Sequence, residues 1–593
     1  MVDPLTPVPS LVAPSLIALP RPGRKVLLEL DLTRGLLEQP PASPVGALRA
    51  RHVPTLHGLV DALARAARDD RVAGLVAHLG QRVSLAQSGE LRAAVRRLSA
   101  AGKPTVAWAE SFGEAGPGNV GYHLATAFDE VWLQPSGELG LVGVSAQAVF
   151  VRDALAKLGV QAQISQRAEY KTAANMFLES AMTEPHREMV RALVDSAMAT
   201  LVSDIAAARR LSEPQVRDAV DAAPLTAQEA VDRGLVDRIG YRDEVYAALH
   251  ERLGKLETRY VERHRDGVRA LARKGRDVVR HRPVVAVVQA TGPIHLGRSG
   301  GSPFSGHSIG SDTLGAALRA VGRDEHVRAV VLRVDSPGGS YVASDAIRRE
   351  VHALRRTGRP VVASMGNVAG SGGYYVAMPA DEVVAGAATL TGSIGVLAGK
   401  QVIAEGLARL GVRRESVSAG RFAEMYSTER PFDEQEWRRL EDQLDRIYAD
   451  FTGKAAEDRR MPLERMREVA KGRVWTGADA AERGLVDRIG GLSDAVDVAC
   501  RRAGIRREDA ELRTLPRVSP LDRLRPAPNS DAPRGAASPL TPLSPLSLPD
   551  QLLTALSLPD QLMTRLSLPD QLMTRLGLPG WGALTMPVLW ELR

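Results

Sequence analysis

The chain has 593 residues, too many for a single hydrophobic core, so at least two domains are expected. Its 77 Lys and Arg against 70 Asp and Glu give a net charge of only +7. No nucleic-acid-binding motif accompanies this mild excess, so we expect no nucleic-acid partner. The single cysteine, Cys500, excludes a disulfide framework and a cysteine-based metal cluster. No metal or cofactor is expected.

The N-terminal segment, residues 1–23, is apolar but interrupted by prolines, and it has no basic start. Nowhere does the chain contain about 20 consecutive apolar residues, the length that spans a bilayer. The sequence therefore predicts neither a signal peptide nor a transmembrane helix.

Short apolar runs alternate with amphipathic stretches along the first part of the chain. Strands are predicted over residues 24–32, 72–78 and 105–110, and helices over residues 57–68 and 88–101. Buried strands separated by helices are typical of an α/β domain with mostly parallel strands.

An internal repeat divides the chain. RGLVDRIG occurs at residues 233–240 and again at 483–490, an offset of 483 − 233 = 250. GYHLATAFDEV (121–131) parallels GYYVAMPADEV (373–383) in the same order. These matches predict a tandem duplication, with an N-terminal domain over 24–251 and a C-terminal domain over 283–515.

The segment between the domains, residues 252–282, is rich in Lys and Arg. Such a charge run favours a solvated connector, and the alternative is contact with anionic lipid or a partner. The tail, residues 516–593, is rich in proline and repeats a ten-residue unit such as SLPDQLMTRL. It is interpreted as disordered or as short marginal helices, with a membrane-surface or partner-docking role as the alternative.

The stretch around Ser371 carries the first chemical feature. Residues 361–363 form a predicted strand and residues 373–378 a predicted helix, so Ser371 lies on a tight strand-to-helix turn. Such a turn exposes a nucleophile, and the Gly372 amide at the helix start suits an oxyanion donor. The alternative is a serine that merely caps the helix.

Two further features complete a possible site. The Gly-Gly turn after the strand over 329–334 offers the Gly339 amide as a second oxyanion donor. Lys171 lies in the N-terminal repeat, where the C-terminal repeat has Tyr426, whereas Ser371 lies opposite Asn119. The N-terminal repeat therefore has the lysine without the serine, and the C-terminal repeat has the serine without the lysine. A buried, neutral lysine can serve as the base for a serine, although a lysine taken alone is more often on the surface.

Four motifs together resemble the S49 family of serine peptidases in its long, internally duplicated form: EYKTAANMF (169–177), VDSPGGS (334–340), SMGNVAGSGGYYVA (364–377) and TLTGSIGV (389–396). The resemblance implies Ser371 as nucleophile, Lys171 as general base and Ser393 as the residue that positions the lysine. It also implies two ClpP/crotonase-like α/β spiral domains, a tetramer, association with membranes, and peptide substrates such as cleaved signal peptides.

Two other functions remain open at this point. An acyl-CoA enzyme of the crotonase type would also use paired amides, but it needs no Ser–Lys pair, and no acidic pair is placed for proton transfer. A non-catalytic scaffold or partner-binding protein would need neither Ser371 nor Lys171. Hydrolysis that depends on both residues separates these functions from the peptidase.

Overall fold

The structure, a computed structural model, describes residues 25–41, 46, 48, 50–264, 282–302, 306–515 and 584–585. The interpretations of residues 1–23 and of nearly all of the tail fall outside these ranges. None of the helices in the described ranges is long and apolar enough to cross a membrane.

The N-terminal half alternates strands and helices. The strands are β1 (Val26–Asp31), β2 (Val72–His78), β3 (Thr105–Ala109), β4 (Glu130–Leu133), β5 (Glu138–Leu139), β6 (Gln161–Arg167), β7 (Leu225–Thr226), β8 (Arg238–Ile239) and β9 (Glu257–Tyr260). The helices are α1 (Leu56–Ala66), α2 (Leu85–Ala100), α3 (Asn119–Ala125), α4 (Arg152–Lys157), α5 (Asn175–Leu178), α6 (Glu184–Arg209), α7 (Glu213–Ala222), α8 (Ala227–Asp232) and α9 (Arg242–Leu253).

The C-terminal half repeats this alternation. Its strands are β10 (Val284–Thr291), β11 (Ile294–His295), β12 (Gly301–Ser302), β13 (Gly306–His307), β14 (Ile309–Gly310), β15 (Val327–Ser336), β16 (Gly338–Gly339), β17 (Val361–Gly370), β18 (Glu382–Ala385), β19 (Leu390–Gly392), β20 (Val396–Val402), β21 (Val474–Thr476), β22 (Arg488–Ile489), β23 (Glu511–Leu515) and β24 (Leu584–Thr585). Its helices are α10 (Ser311–Arg323), α11 (Tyr341–Arg355), α12 (Gly372–Ala377), α13 (Ala404–Arg409), α14 (Glu434–Asp458), α15 (Leu463–Val469), α16 (Gly477–Glu482) and α17 (Leu492–Arg502).

The two halves share one sheet topology. The first sheet has the order β8-β4-β3-β2-β1-β9, with all neighbours parallel. The second contains the matching series β22-β18-β17-β15-β10-β23, also parallel, with β19 and β21 added at the far end of β17. Each repeat therefore folds as an α/β domain around its own sheet, as the duplication predicts.

The repeated RGLVDRIG segments form equivalent hydrogen bonds in both domains. The Tyr122 hydroxyl donates to the Leu235 carbonyl, and the Tyr374 hydroxyl donates to the Leu485 carbonyl. Asp237 and Asp487 each accept from the first buried amide of the neighbouring strand, β4 or β18, at 2.7 Å. The motif thus joins the helix after the central strand to the edge of the same sheet.

Most element boundaries lie within a few residues of those predicted. The largest difference in the first domain is α2, which begins at Leu85 rather than at 88 because Ser84 caps it. The Ser84 hydroxyl accepts from the Gln87 amide, and the Gln87 side chain accepts from the Ser84 amide. The predicted connector also differs, because residues 257–260 form β9 and pair with β1.

The two domains interlock rather than sit side by side. β6 of the first half pairs antiparallel with β20 of the second along its whole length, from Gln161 opposite Val402 to Arg167 opposite Val396. α2 packs on β17 of the second sheet, where its Glu90 carboxylate accepts from the Leu492 amide at the start of α17. The β6–β20 ribbon brings the segment that follows β6 to the end of β17.

Candidate active site

Ser371 lies between β17 and α12 in a conformation that non-glycine residues rarely adopt, with φ 56° and ψ −116°. The chain is held there by two backbone bonds, from the Ser371 amide to the Gly392 carbonyl and from the Tyr375 amide to the Ser371 carbonyl. Strained serines of this kind persist only where the surroundings impose them, and they cluster at functional sites. The predicted strand-to-helix turn is therefore present.

Lys171 reaches this serine from the other domain. Its Nζ lies 2.7 Å from Ser371 Oγ and 3.0 Å from both the carbonyl and the hydroxyl oxygen of Ser393. Lys171 and Ser371 are fully buried, and Ser393 is buried almost as completely. The structure thus brings together two predicted site residues that are 200 positions apart in the chain.

The surroundings of Lys171 favour the neutral amine. Burial lowers the pKa of Lys171 well below its usual value of 10.5, because the charged form loses its hydration. All three of its hydrogen-bond partners are uncharged oxygens. A neutral amine has a lone pair, so the Ser371 hydroxyl can donate its proton to Nζ along the 2.7 Å contact.

Ser393 is held by the backbone of Arg473, the residue just before β21. Its φ is 51°, and its amide donates to the Arg473 carbonyl at 2.7 Å. Both of its oxygens face the lysine amine, which fixes the position of Nζ against Ser371. The lysine-positioning role expected for Ser393 stays a prediction.

The two glycines expected to hold an oxyanion are neighbours in space. A Cβ placed on Gly372 would lie 3.1 Å from the Gly339 nitrogen. Gly339 has φ +149°, and a Cβ there would lie 2.1 Å from the Ile294 carbonyl oxygen, so only glycine fits. Gly339 and Gly372 therefore lie next to each other beside Ser371, and their role as oxyanion donors stays a prediction.

Known proteins provide an independent comparison. The family model described as Peptidase family S49 matches residues 97–256 and 353–506, more than half of the chain. The chain belongs to peptidase family S49. The two matched regions, together with the two equivalent sheets, confirm the predicted fold class of two tandem S49-type α/β domains.

Individual relatives extend across most of the chain. A chloroplastic serine protease SPPA from Arabidopsis thaliana is 33% identical over 463 residues, which is 76% of this chain and 66% of that protein. Protease 4 of Salmonella typhi is 30% identical over 466 residues, 76% of this chain and 72% of that protein. These relatives support a serine peptidase.

Two solved structures each match part of this chain. A mutant of the 1510-N membrane-bound stomatin-specific protease covers 40% of this chain and 99% of its own, with 14% identity and a TM-score of 0.25. A mutant of ClpP1 from Listeria monocytogenes covers 37% of this chain and 98% of its own, with 12% identity and a TM-score of 0.22.

The first repeat of this S49 chain uses its equivalent turn differently. Asn119, which occupies the place of Ser371, forms hydrogen bonds to the Gly143 backbone with both polar atoms of its side chain. The amide nitrogen donates to the Gly143 carbonyl and the amide oxygen accepts from the Gly143 amide. The asparagine therefore closes a loop where the second repeat places its serine.

Sequence reasoning missed the residues that hold the lysine backbone. Gly472, with φ +71°, lies so close to Lys171 that a Cβ there would be 2.6 Å from its nitrogen and 2.8 Å from its Cα. The Tyr170 amide donates to the Lys471 carbonyl in the same contact. The available sign was the Lys-Gly pair just after α15, but nothing in its local pattern pointed to a partner in the other repeat.

Sequence reasoning also missed a buried charge cluster on the strand before the Gly338–Gly339 turn. The Arg333 guanidinium donates to Glu38 at 2.6 Å and to Glu90 at 2.7 Å, so two carboxylates of the first half neutralise one cation of the second. Burial lowers the pKa of Arg333, but these carboxylates outweigh it and the net pKa is raised. Burial, followed by the charge of Glu38, raises the pKa of Asp335 to about 6.

The neighbouring Asp335 supports the strand that leads to Ser371. Its carboxylate accepts from the Val368 amide at 3.0 Å, on β17, the strand that ends just before Ser371. Asp335 is also the second-last residue of β15, which ends at Ser336 just before the Gly-Gly turn. One carboxylate therefore connects β17, the strand before Ser371, to the turn that carries Gly339.

Proposed function

We propose that the chain is a serine endopeptidase in which Ser371 is the nucleophile and Lys171 the general base. The observation that carries this proposal is the 2.7 Å separation between the fully buried Lys171 amine and the Ser371 hydroxyl. A lysine with a lowered pKa in an uncharged setting is the known alternative to histidine in activating a serine.

The reaction begins when neutral Lys171 takes the Ser371 proton as Oγ attacks the substrate carbonyl carbon. The carbonyl oxygen becomes an oxyanion, which accepts hydrogen bonds from the Gly339 and Gly372 amides. Lys171, now an ammonium, gives its proton to the departing amine nitrogen, and an acyl ester on Ser371 remains. Water then attacks this ester with Lys171 again accepting a proton, which releases the acid and restores Ser371.

The fixed amine explains why Ser393 belongs to the mechanism. While it carries the proton, the Lys171 side chain must stay beside Ser371 and must not turn toward bulk water. The two Ser393 oxygens accept from the ammonium form and hold it at 3.0 Å throughout the cycle. Ser393 therefore acts as a positioning residue.

The substrates we propose are extended apolar peptides, among them cleaved signal peptides. An extended peptide binds by pairing with a strand, and β16, which contains Gly339 and pairs with β11 on one side, is the strand that we assign to it. We further propose a homotetramer and peripheral contact with membranes. Light scattering at four times the chain mass and co-sedimentation with anionic vesicles measure these two properties.

The dyad is tested with Ser371→Ala and Lys171→Ala, assayed on a small apolar peptide ester. Loss of a general base costs about 10²- to 10⁴-fold, and loss of the nucleophile costs at least as much. Lys157→Ala, an exposed lysine of the same repeat, is the matched control and should retain turnover. Undiminished hydrolysis by either dyad variant would refute the proposal.

A further inference from the structure

A piece of the chain's own C-terminus lies on the candidate active site. Leu584 and Thr585 form β24, which pairs antiparallel with β16: Thr585 is opposite Gly338, and Leu584 is opposite Gly339. β24 is the outermost strand of the small sheet β14-β11-β16-β24. Gly339 is one of the two residues to which we assign the oxyanion contacts.

The position of β24 is the one that a peptide substrate needs. A substrate must present a carbonyl near the Gly339 and Gly372 amides while its backbone is held in an extended form. An antiparallel strand on β16 meets both requirements, because adjacent strands exchange amide and carbonyl contacts along their length. β24 also lies beside β20, which begins three residues after Ser393. The pair 584–585 therefore lies between two strands of the site.

The sequence of this segment matches the proposed substrate class. Ala583, Leu584, Thr585 and Met586 are uncharged, and three of the four are apolar. Pro587 follows, and a proline has no amide hydrogen to extend a strand ladder. The pairing on β16 therefore favours a short stretch that ends before residue 587.

Covalent attachment strengthens a contact that would be weak between separate molecules. Residues 516–583 connect β23 to β24, and a connection of this length can span any distance within the two domains. A tethered segment binds at an effective concentration set by its connection and not by the protein concentration. A two-residue pairing can therefore compete with free peptide.

We propose that the segment around Leu584 and Thr585 is a tethered pseudosubstrate that occupies the β16 edge and competes with peptide substrates. The proposal rests on the proposed peptidase function, since it deepens the description of that site. It gives the C-terminal tail a regulatory role, in which peptide turnover rises when the tail leaves β16.

The test measures peptide binding in the full-length Ser371→Ala protein, where cleavage cannot remove the tail. A fluorescein-labelled apolar decapeptide is titrated by anisotropy against this parent and against the same protein carrying Leu584→Pro. Proline removes the amide hydrogen at the paired position, so we expect the apparent Kd to fall about tenfold. Leu553→Pro, the same change in the repeated part of the tail, is the matched control and should bind like the parent.

A second measurement separates a tethered from an intermolecular contact. The apparent Kd of the parent should stay constant when its concentration is varied tenfold, because the competitor is in the same chain. Equal Kd values for the parent and Leu584→Pro would overturn the proposal. The hydrolysis assay on the Ser371-containing protein is independent of this result, so failure of the peptidase assignment and failure of the pseudosubstrate are distinguishable.

Discussion

The contact between Gly472 and Lys171 allows a sharp test of how the lysine is held. The perturbation is Gly472→Ala, which adds a single methyl group. Gly504→Ala is its matched control, because Gly504 has a similar φ of +66° but no atom within 4 Å of its added Cβ. Both variants force alanine into the left-handed region at a cost of ~1–2 kcal/mol. Only Gly472→Ala meets Lys171.

The size of the effect follows from the distances. The new Cβ would lie 2.6 Å from the Lys171 nitrogen, whereas ordinary contact begins near 3.4 Å, so the lysine backbone must move by about 0.8 Å. If Nζ moves away by the same amount, its 2.7 Å contact with Ser371 lengthens beyond a normal hydrogen bond. A displacement approaching 1 Å at a reacting group costs on the order of 10²-fold in rate.

The assay is kcat on an apolar peptide ester, paired with thermal unfolding of each variant. We expect Gly472→Ala to lose more stability than Gly504→Ala, because its methyl group also clashes with Lys171. Measured on folded protein, only Gly472→Ala should lose about 10²-fold in kcat. A Gly472→Ala enzyme that is as active as Gly504→Ala would show that Lys171 is not held by this contact.

Three further predictions concern neighbouring groups. Because burial lowers the pKa of Lys171, kcat/KM should rise with pH through that lowered pKa, which gives the pH profile an acid limb. Asp335→Asn removes the group with a pKa of about 6 and should leave this acid limb in place. Ser393→Ala should lower kcat about two- to tenfold, the equivalent of one hydrogen bond, and should move the acid limb to lower pH because the ammonium loses an acceptor. Arg333→Met should cost about 3–5 kcal/mol in the free energy of unfolding by leaving Glu38 and Glu90 buried without their cation. In urea denaturation that loss should shrink as the pH is lowered and the carboxylates take up protons; an unchanged midpoint for Arg333→Met would contradict the assignment.

Local patterns predicted much of the fold. The alternation of apolar strands and amphipathic helices placed β2 at residues 72–78, and the second RGLVDRIG segment predicted the second sheet. The turn at Ser371 could also be predicted, since a strand, a serine, two glycines and a helix follow one another in the chain. Each of these features is determined by residues that are close together in sequence.

The features that the patterns did not predict arise from contacts between the repeats. The β6–β20 pairing joins residues 229 to 241 positions apart, and no periodicity in either strand specifies its partner. Gly472 shows its importance only when Lys171 is placed against it. Ser393 was found through a family motif, because a lone serine in an apolar stretch has no local property that distinguishes a positioning residue.

The division of the lysine and the serine between two repeats affects the protein during its synthesis. Ser371 follows Lys171 by 200 residues, which at ribosomal speeds of 5–20 residues per second is an interval of ~10–40 s. Contacts at such separation also form late in folding, because the intervening chain must close first. A growing polypeptide with this arrangement cannot cut its own unfolded segments, and hydrolytic activity reports that both repeats have folded and docked.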